Sequence, residues 1–216
     1  MDLREMIEKI DHTQLKAFAT WEDIRELCEE AIRFHTASVC IPPCYVSQVH
    51  KEYGDRLKIC TVIGFPLGYS TTVTKVFETT DAVKNGADEI DMVINIGRMK
   101  NGEKDAVLDE IRAIRAACKG QILKVIVETC YLTEEEKTEL CRMVTEAGAD
   151  YIKTSTGFGT AGATPEDIRL FKEHIGEGVK IKAAGGIRTK EALREFAELG
   201  CDRIGASATK EFVKDE

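Results

Sequence analysis

AGADYI, residues 147–152, has two near-copies elsewhere in the chain, NGADEI at 85–90 and LGCDRI at 199–204. Each follows an amphipathic stretch and leads into an apolar one. The glycine suits the left-handed backbone that stops a helix, and the residues after it have strand character. The hexapeptide therefore reads as helix end, tight turn, strand.

A second recurring spelling marks helix starts: TWED at 20, TEEE at 133, TPED at 164 and TKEA at 189. In each, the threonine hydroxyl can accept from the first turn, and acids complement the helix dipole. Three of the four place an acid where a capping box closes, and Pro165 falls in a first turn, where proline is tolerated. Between these signals Ile24, Leu27, Cys28, Ala31 and Ile32 share one helical face, as do Val107, Ile111, Ile114 and Cys118. Short β-rich runs alternate with the helices: IDHT at 10, SVCI at 38, CTVIG at 60, EIDMVIN at 89, KVIVET at 124, YIKTST at 151, KIKAAGG at 180 and RIGASA at 203. No hairpin signal separates any two of them.

Alternating strand and helix implies a parallel sheet of the α/β class. Eight repeats in about 200 residues fit a single (β/α)8 TIM barrel, with a short extra helix at the N-terminus. A doubly wound open sheet explains the alternation but gives no reason for eight units. No linker or composition shift divides the chain, so residues 1–216 are expected to form one catalytic domain.

Bulk properties narrow the function. The 216 residues are 43% hydrophobic and 31% charged, with a formal net charge of −8. That balance argues against nucleic acid or an anionic membrane as partner, because neutralising phosphates needs basic patches. The N-terminal MDLREMIEKIDHT mixes acids with bases and has no apolar centre, unlike a secretory signal. No apolar run reaches membrane-spanning length. The expected location is the cytoplasm, where the eight cysteines stay reduced. Cys40, Cys44 and His50, with His35 as a distant fourth, have loosely metal-like spacing. Structural thiols are the better reading, and no metal is expected.

In a barrel of this kind, reactive groups gather at the C-terminal strand ends. Three of those ends are rich in glycine: STGFGTAG at 155–162, AAGG at 183–186 and IGAS at 204–207. Bare backbone N–H groups in such turns make an anion cradle, and the last two follow the seventh and eighth strands, which points to a phosphorylated ligand. GFGTAG also matches GxGxxG, but its helix starts late, at Thr164, and the next strand ends in Gly185–Gly186 rather than an acid. That weighs heavily against the dinucleotide reading.

Lys153 and Lys182 stand centrally in neighbouring strands, whereas Lys180 lies at a strand's outer end and can reach water. A buried ammonium needs a carboxylate or loses its proton. Two close lysines disfavour double protonation. An ordinary lysine titrates near 10.4, so only about one amine in a few thousand is neutral at pH 7, and a reactive one requires the charged form to be destabilised by about 4 kcal/mol. Such an amine can form a Schiff base with a carbonyl. Asp91, inside its strand, is the candidate proton shuttle. Asp88 and Glu89 read as solvated residues of the strand entrance, and Glu128 and Asp11, at strand ends, are further candidates.

DHT at 11, SVCIPP at 38, TVIGFPLG at 61, EIDMVINIG at 89, YIKTSTGF at 151, KAAGGIR at 182 and RIGASA at 203 together resemble the deoxyribose-phosphate aldolase family, in order and from about residue 8 to 208. The resemblance implies a class I aldolase that uses no cofactor. It would reversibly cleave 2-deoxy-D-ribose 5-phosphate to D-glyceraldehyde 3-phosphate and acetaldehyde in deoxynucleoside catabolism. By motif position, Lys153 is similar to the Schiff-base lysine, Lys182 to the second lysine that lowers its pKa, and Asp91 to the acid of the proton relay. Substrate contacts carry over to Asp11, Thr13 and Cys40. Phosphate contacts carry over to Thr156, Gly157, Gly185, Gly186, Gly205 and Ser207. The expected assembly is a homo-oligomer, a dimer or tetramer. The nearest rival is another lysine-dependent barrel aldolase, or a transaldolase-like enzyme, acting on a different phosphosugar. A phosphate-binding barrel without catalysis is the rival from another class, and Asp91 would oppose its anion.

Overall fold

The structure, a computed structural model, describes residues 1–214. Eight strands close into one all-parallel barrel in chain order: β1 (Ile10–Thr13), β2 (Ser38–Ile41), β3 (Ile59–Ile63), β4 (Glu89–Val93), β5 (Ile122–Ile126), β6 (Tyr151–Lys153), β7 (Lys180–Ala184) and β8 (Arg203–Ala206). The expected (β/α)8 barrel is thus the observed fold. The fifth strand starts two residues before the KVIVET run. The helices are α1 (Leu3–Ile7), the extra one ahead of the barrel, then α2 (Trp21–Phe34), α3 (Val46–Tyr53), α4 (Thr72–Lys84), α5 (Ile96–Lys100), α6 (Lys104–Ala117), α7 (Glu134–Glu146), α8 (Pro165–His174), α9 (Lys190–Glu198) and α10 (Thr209–Phe212).

The repeated hexapeptide earns its place three times over. Gly86, Gly148 and Gly200 all take positive φ (104°, 69° and 93°) and end α4, α7 and α9. The aspartate two residues later then clasps the preceding strand from both sides. Asp150 N–H donates to Leu123 O (3.0 Å), while Leu123 N–H donates to Asp150 Oδ2 (2.7 Å). Asp88 does the same with Ile59 (2.8 and 2.9 Å), and Asp202 with Ile181 (3.0 and 3.1 Å). The acid in the motif is therefore a staple between β3 and β4, β5 and β6, and β7 and β8. It satisfies an N–H in the opening residues of the neighbouring strand, that of Ile59, Leu123 or Ile181.

The threonine caps are present at all four predicted helix starts. Two of the three capping boxes close, at Thr20/Asp23 and Thr133/Glu136. The third does not, because the Asp167 carboxylate turns to Lys137 of α7 (2.6 Å), a stronger partner than a backbone N–H.

Strand side chains alternate between two environments. Outward, residues such as Ile90, Met92, Val125, Ile152 and Ile204 join the helix faces led by Ile24, Ile111 and Phe171 in one continuous apolar shell. Inward, much of the filling is charged, with Asp11, Glu89, Asp91, Lys124, Lys153 and Lys182 all buried where branched aliphatics are the usual occupants. Among the described residues no helix is long and apolar enough to cross a membrane.

Candidate active site

Parallel register sets the charged interior. Asp91 of β4 lies level with Lys124 of β5, and Lys153 of β6 is level with Lys182 of β7. Lys182 in turn is level with Arg203 of β8. Asp91 is the hub. Its Oδ2 accepts from Lys153 Nζ and from Lys182 Nζ, each at 2.7 Å, so the two nitrogens cannot be further apart than twice that distance. Its Oδ1 accepts from Lys124 Nζ (2.9 Å) and from the Cys60 thiol (3.1 Å).

Beneath the hub, Asp11 binds Lys182 and Arg203 and accepts from Ser38 Oγ (2.8 Å). Glu89 takes Arg203 through both oxygens (2.8 and 3.0 Å) and Lys124 at 2.6 Å. Burial by itself would favour the neutral form of every one of these groups. For Asp91 the ammonium groups of Lys124, Lys153 and Lys182 reverse that and hold the carboxyl well below the usual range. Asp11 is likewise pushed down, against its burial, by Lys182, Lys124 and Arg203. Lys182 and Lys124 are correspondingly raised, burial being overcome by Asp11 and Asp91 around the first and by Asp91, with Asp11 and Glu89, around the second. Lys182 is therefore a firm cation beside Lys153.

Above this lattice a cleft of about 180 Å³ opens at the C-terminal strand ends, with Lys153 on its wall. The rest of the wall comes from the ends of β1 and β8 and the loops after β6, β7 and β8: Thr13, Thr156, Gly157, Phe158, Gly185, Gly186, Arg188, Gly205 and Ser207 among others. The glycines are required. Gly157, Gly185 and Gly186 have φ of 86°, 86° and 80°, and a Cβ on Gly162 would lie 2.1 Å from Gly185 O. Ala163 N–H donates to Ala184 O (3.0 Å) and Gly185 O (3.2 Å), locking the loops after β6 and β7 together.

Most predicted residues converge here, though not all in the expected way. Lys153, Thr13, Thr156, Gly157, Gly185, Gly186, Gly205 and Ser207 line the cleft. Asp91 and Lys182 lie off the wall, joined to Lys153 through Asp91 Oδ2. Asp11 and Cys40 are fully buried and off the wall: Asp11 is spent on the lattice, and Leu15 and Phe65 pack over Cys40, Cys60 and Val62. Thr156 gives both its donors to Glu128, whose own carboxyl burial raises, and its hydroxyl also accepts from Phe158 N–H (3.0 Å). Its donors thus hold the loop after β6 to Glu128.

Glu89 corrects the sequence reading. It is 2% exposed rather than solvated, because Arg203 enters from β8 to pair with it. Lys124, Arg203 and Cys60 were absent from the predicted set, as were Arg188 and Lys16, which bring positive charge to the cleft. Their signal was available: Lys124 and Arg203 break apolar strand runs just as Lys153 does. Lys180 is exposed as expected, its ammonium 5.8 Å from the centre of the Tyr151 ring. Among the described residues two sets of donors come close enough to hold a metal, Cys40–Cys60–Asp91 and Asp11–Cys60–Glu89. In both, the carboxylates already carry ammonium or guanidinium partners, which leaves a cation little to gain.

A charged pocket floor under a glycine-lined, barrel-end cleft defines a (β/α)8 enzyme. The chain belongs to the DeoC/LacD family of aldolases, whose family model matches residues 1–209. It is 59% identical, over its whole length and 98% of the relative's, to the deoxyribose-phosphate aldolase of Clostridium botulinum strain Alaska E43. With that of Streptococcus pyogenes serotype M4 it shares 55% identity, over all of this chain and 97% of the other. Among solved structures, the tetrameric deoxyribose phosphate aldolase of Aeropyrum pernix superposes with a TM-score of 0.92 at 30% identity, covering 99% of this chain and 92% of that one. The kinship expected from the seven motifs is the kinship found.

Proposed function

We propose that this chain is a class I aldolase that reversibly cleaves 2-deoxy-D-ribose 5-phosphate to D-glyceraldehyde 3-phosphate and acetaldehyde through a Schiff base on Lys153. The observation that carries the reading is the position of Lys153 Nζ, on the cleft wall and bonded to the same oxygen of Asp91 as Lys182. The glycine loops supply backbone donors for the 5-phosphate, with Arg188 and Lys16 adding charge.

The neutral Lys153 amine attacks C1 of the open-chain sugar, and loss of water leaves an iminium. A base takes the proton of the C3 hydroxyl, the C2–C3 bond breaks, and its electrons move to the iminium nitrogen. Glyceraldehyde 3-phosphate departs. The enamine is protonated at C2, and water then releases acetaldehyde and the free lysine. The iminium accepts the electron pair, so the chemistry calls for no metal or organic cofactor. Asp91 and Lys182 serve as the proton relay through water: the carboxylate stays ionised and the second lysine stays a donor, the roles their shifted titrations suit.

The physiological role proposed is deoxynucleoside catabolism in the cytoplasm, by a homo-oligomer. Reduction with borohydride in the presence of acetaldehyde, followed by peptide mass mapping, tests the reading: an ethyl group must appear on Lys153, and unmodified Lys153 in active protein would end it.

A further inference from the structure

The charges inside the barrel do not balance. Among the described residues the ion-pair lattice joins four cations, Lys124, Lys153, Lys182 and Arg203, to three carboxylates, Asp11, Glu89 and Asp91; the Glu128 carboxyl, which also faces Lys153, makes no ion pair and is taken up by Thr156. A low-dielectric interior resists such a surplus, so one of the cations is under pressure to give up a proton. The contacts decide which. Lys124 touches three carboxylates, Glu89 at 2.6 Å, Asp91 at 2.9 Å and Asp11 at 3.6 Å. Lys182 touches Asp11 and Asp91, and Arg203, which does not deprotonate in proteins, touches Asp11 and Glu89. Among the described residues Lys153 has one ion-pair partner, a single oxygen of Asp91 that it shares with Lys182. Losing its proton sacrifices the fewest contacts and leaves three cations facing three anions.

We infer that Lys124 is a positioning residue for the aldolase reaction: its fixed charge creates the surplus that makes Lys153 the amine which surrenders its proton, and its bond to Asp91 Oδ1 turns Oδ2 toward Lys153 and Lys182. Lys124 is completely buried and absent from the cleft wall, so it acts without touching substrate. The other titratable groups facing the lattice are Cys40 of β2, Cys60 of β3 and Tyr151 of β6. Cys60 bonds to both Lys124 (3.3 Å) and Asp91, and its thiol is held protonated by burial, Cys40 and Asp91. The Tyr151 ring lies 5.9 Å from the Arg203 guanidinium. Glu128, beyond the end of β5, faces Lys153 but has both oxygens on Thr156.

This inference rests on the Schiff-base reading of Lys153, and the experiment separates the two. The probe is acetaldehyde with cyanoborohydride, and the readout is the rate of ethylation at Lys153, by peptide mass, across pH 5 to 10. Lys124→Met should ethylate at least tenfold more slowly at pH 7, with the midpoint of the profile moved to higher pH. Glu89→Gln enlarges the surplus and should move the midpoint to lower pH. The double variant, Lys124→Met with Glu89→Gln, restores a surplus of one and should bring the midpoint back toward wild type. A merely structural role for Lys124 would lower thermal stability and leave the midpoint in place. A folded Lys124→Met with the wild-type midpoint overturns the inference. So does a shift to higher pH in Glu89→Gln, which decides the matter alone if Lys124→Met does not fold. Failure of the wild-type protein to ethylate at Lys153 sinks the Schiff-base reading itself.

Discussion

Gly162→Ala probes the anion cradle without touching the lysines. A methyl group at this position would lie 2.1 Å from Gly185 O and 2.4 Å from Gly185 C, where ordinary contact begins at 3.4 Å. Both are backbone atoms, held by the Ala163 bonds to Ala184 O and Gly185 O, so no side chain can swing aside. The loops after β6 and β7 must separate by roughly 1 Å, a misplacement that costs about 10²-fold in rate for a positioned group. That corresponds to about 3 kcal/mol of transition-state stabilisation. The assay compares kcat/KM for cleavage of 2-deoxyribose 5-phosphate and of unphosphorylated 2-deoxyribose. The phosphorylated sugar should lose about 10²-fold and the unphosphorylated one far less, with ethylation of Lys153 by acetaldehyde retained. Equal losses for the two sugars would show that the cradle does not hold the phosphate, and no loss for either would show that the loops are not locked.

Lys153→Ala should leave no measurable turnover, whereas Lys182→Leu should reduce turnover and move the pH optimum upward. Full activity in either, in a coupled assay for glyceraldehyde 3-phosphate, contradicts the roles given to them. Asp91→Asn leaves Lys124, Lys153 and Lys182 without their shared carboxylate and should destabilise the fold by about 3–5 kcal/mol in urea titration, the range for breaking a buried ion pair. A loss under about 1 kcal/mol would mean the lattice is not what it looks like. Asp11 and Asp91 are both held below their ordinary 3.8 in the folded state, so the unfolded chain binds more protons as the medium acidifies. The stability they confer is complete above about pH 5 and lost as pH falls through 3.8 and below, and the acid limb of the wild-type urea midpoint should be steeper than that of Asp91→Asn. Asp150→Ala removes the clasp on Leu123 N–H and the partner of Arg115 (2.7 Å), and should cost about 1–3 kcal/mol for the orphaned donor, with Asp88→Ala and Asp202→Ala behaving alike. Three unequal responses would deny the motif a common role.

The barrel could be read along the chain because its determinants are local. A glycine at positive φ stops α4, α7 and α9, a threonine caps α2, α7, α8 and α9, and period-two runs make strands whatever they later pack against. Lys153, Lys182 and Asp91 were equally visible, as ionisable residues set among apolar neighbours in strands. Their partners were not. Glu89 looked solvated because its own segment contains nothing to neutralise it. Arg203, which does so, stands 114 residues further on, and it reaches Asp11 across 192. Closing the barrel brings β8 back against β1 and sets Lys124 level with Asp91. Coulomb interactions follow distance in space rather than position in the chain, so local sequence determined which residues would form strands and turns. Only closure of the sheet decided which charges would face one another, and hence that Lys153 shares a single Asp91 oxygen with Lys182.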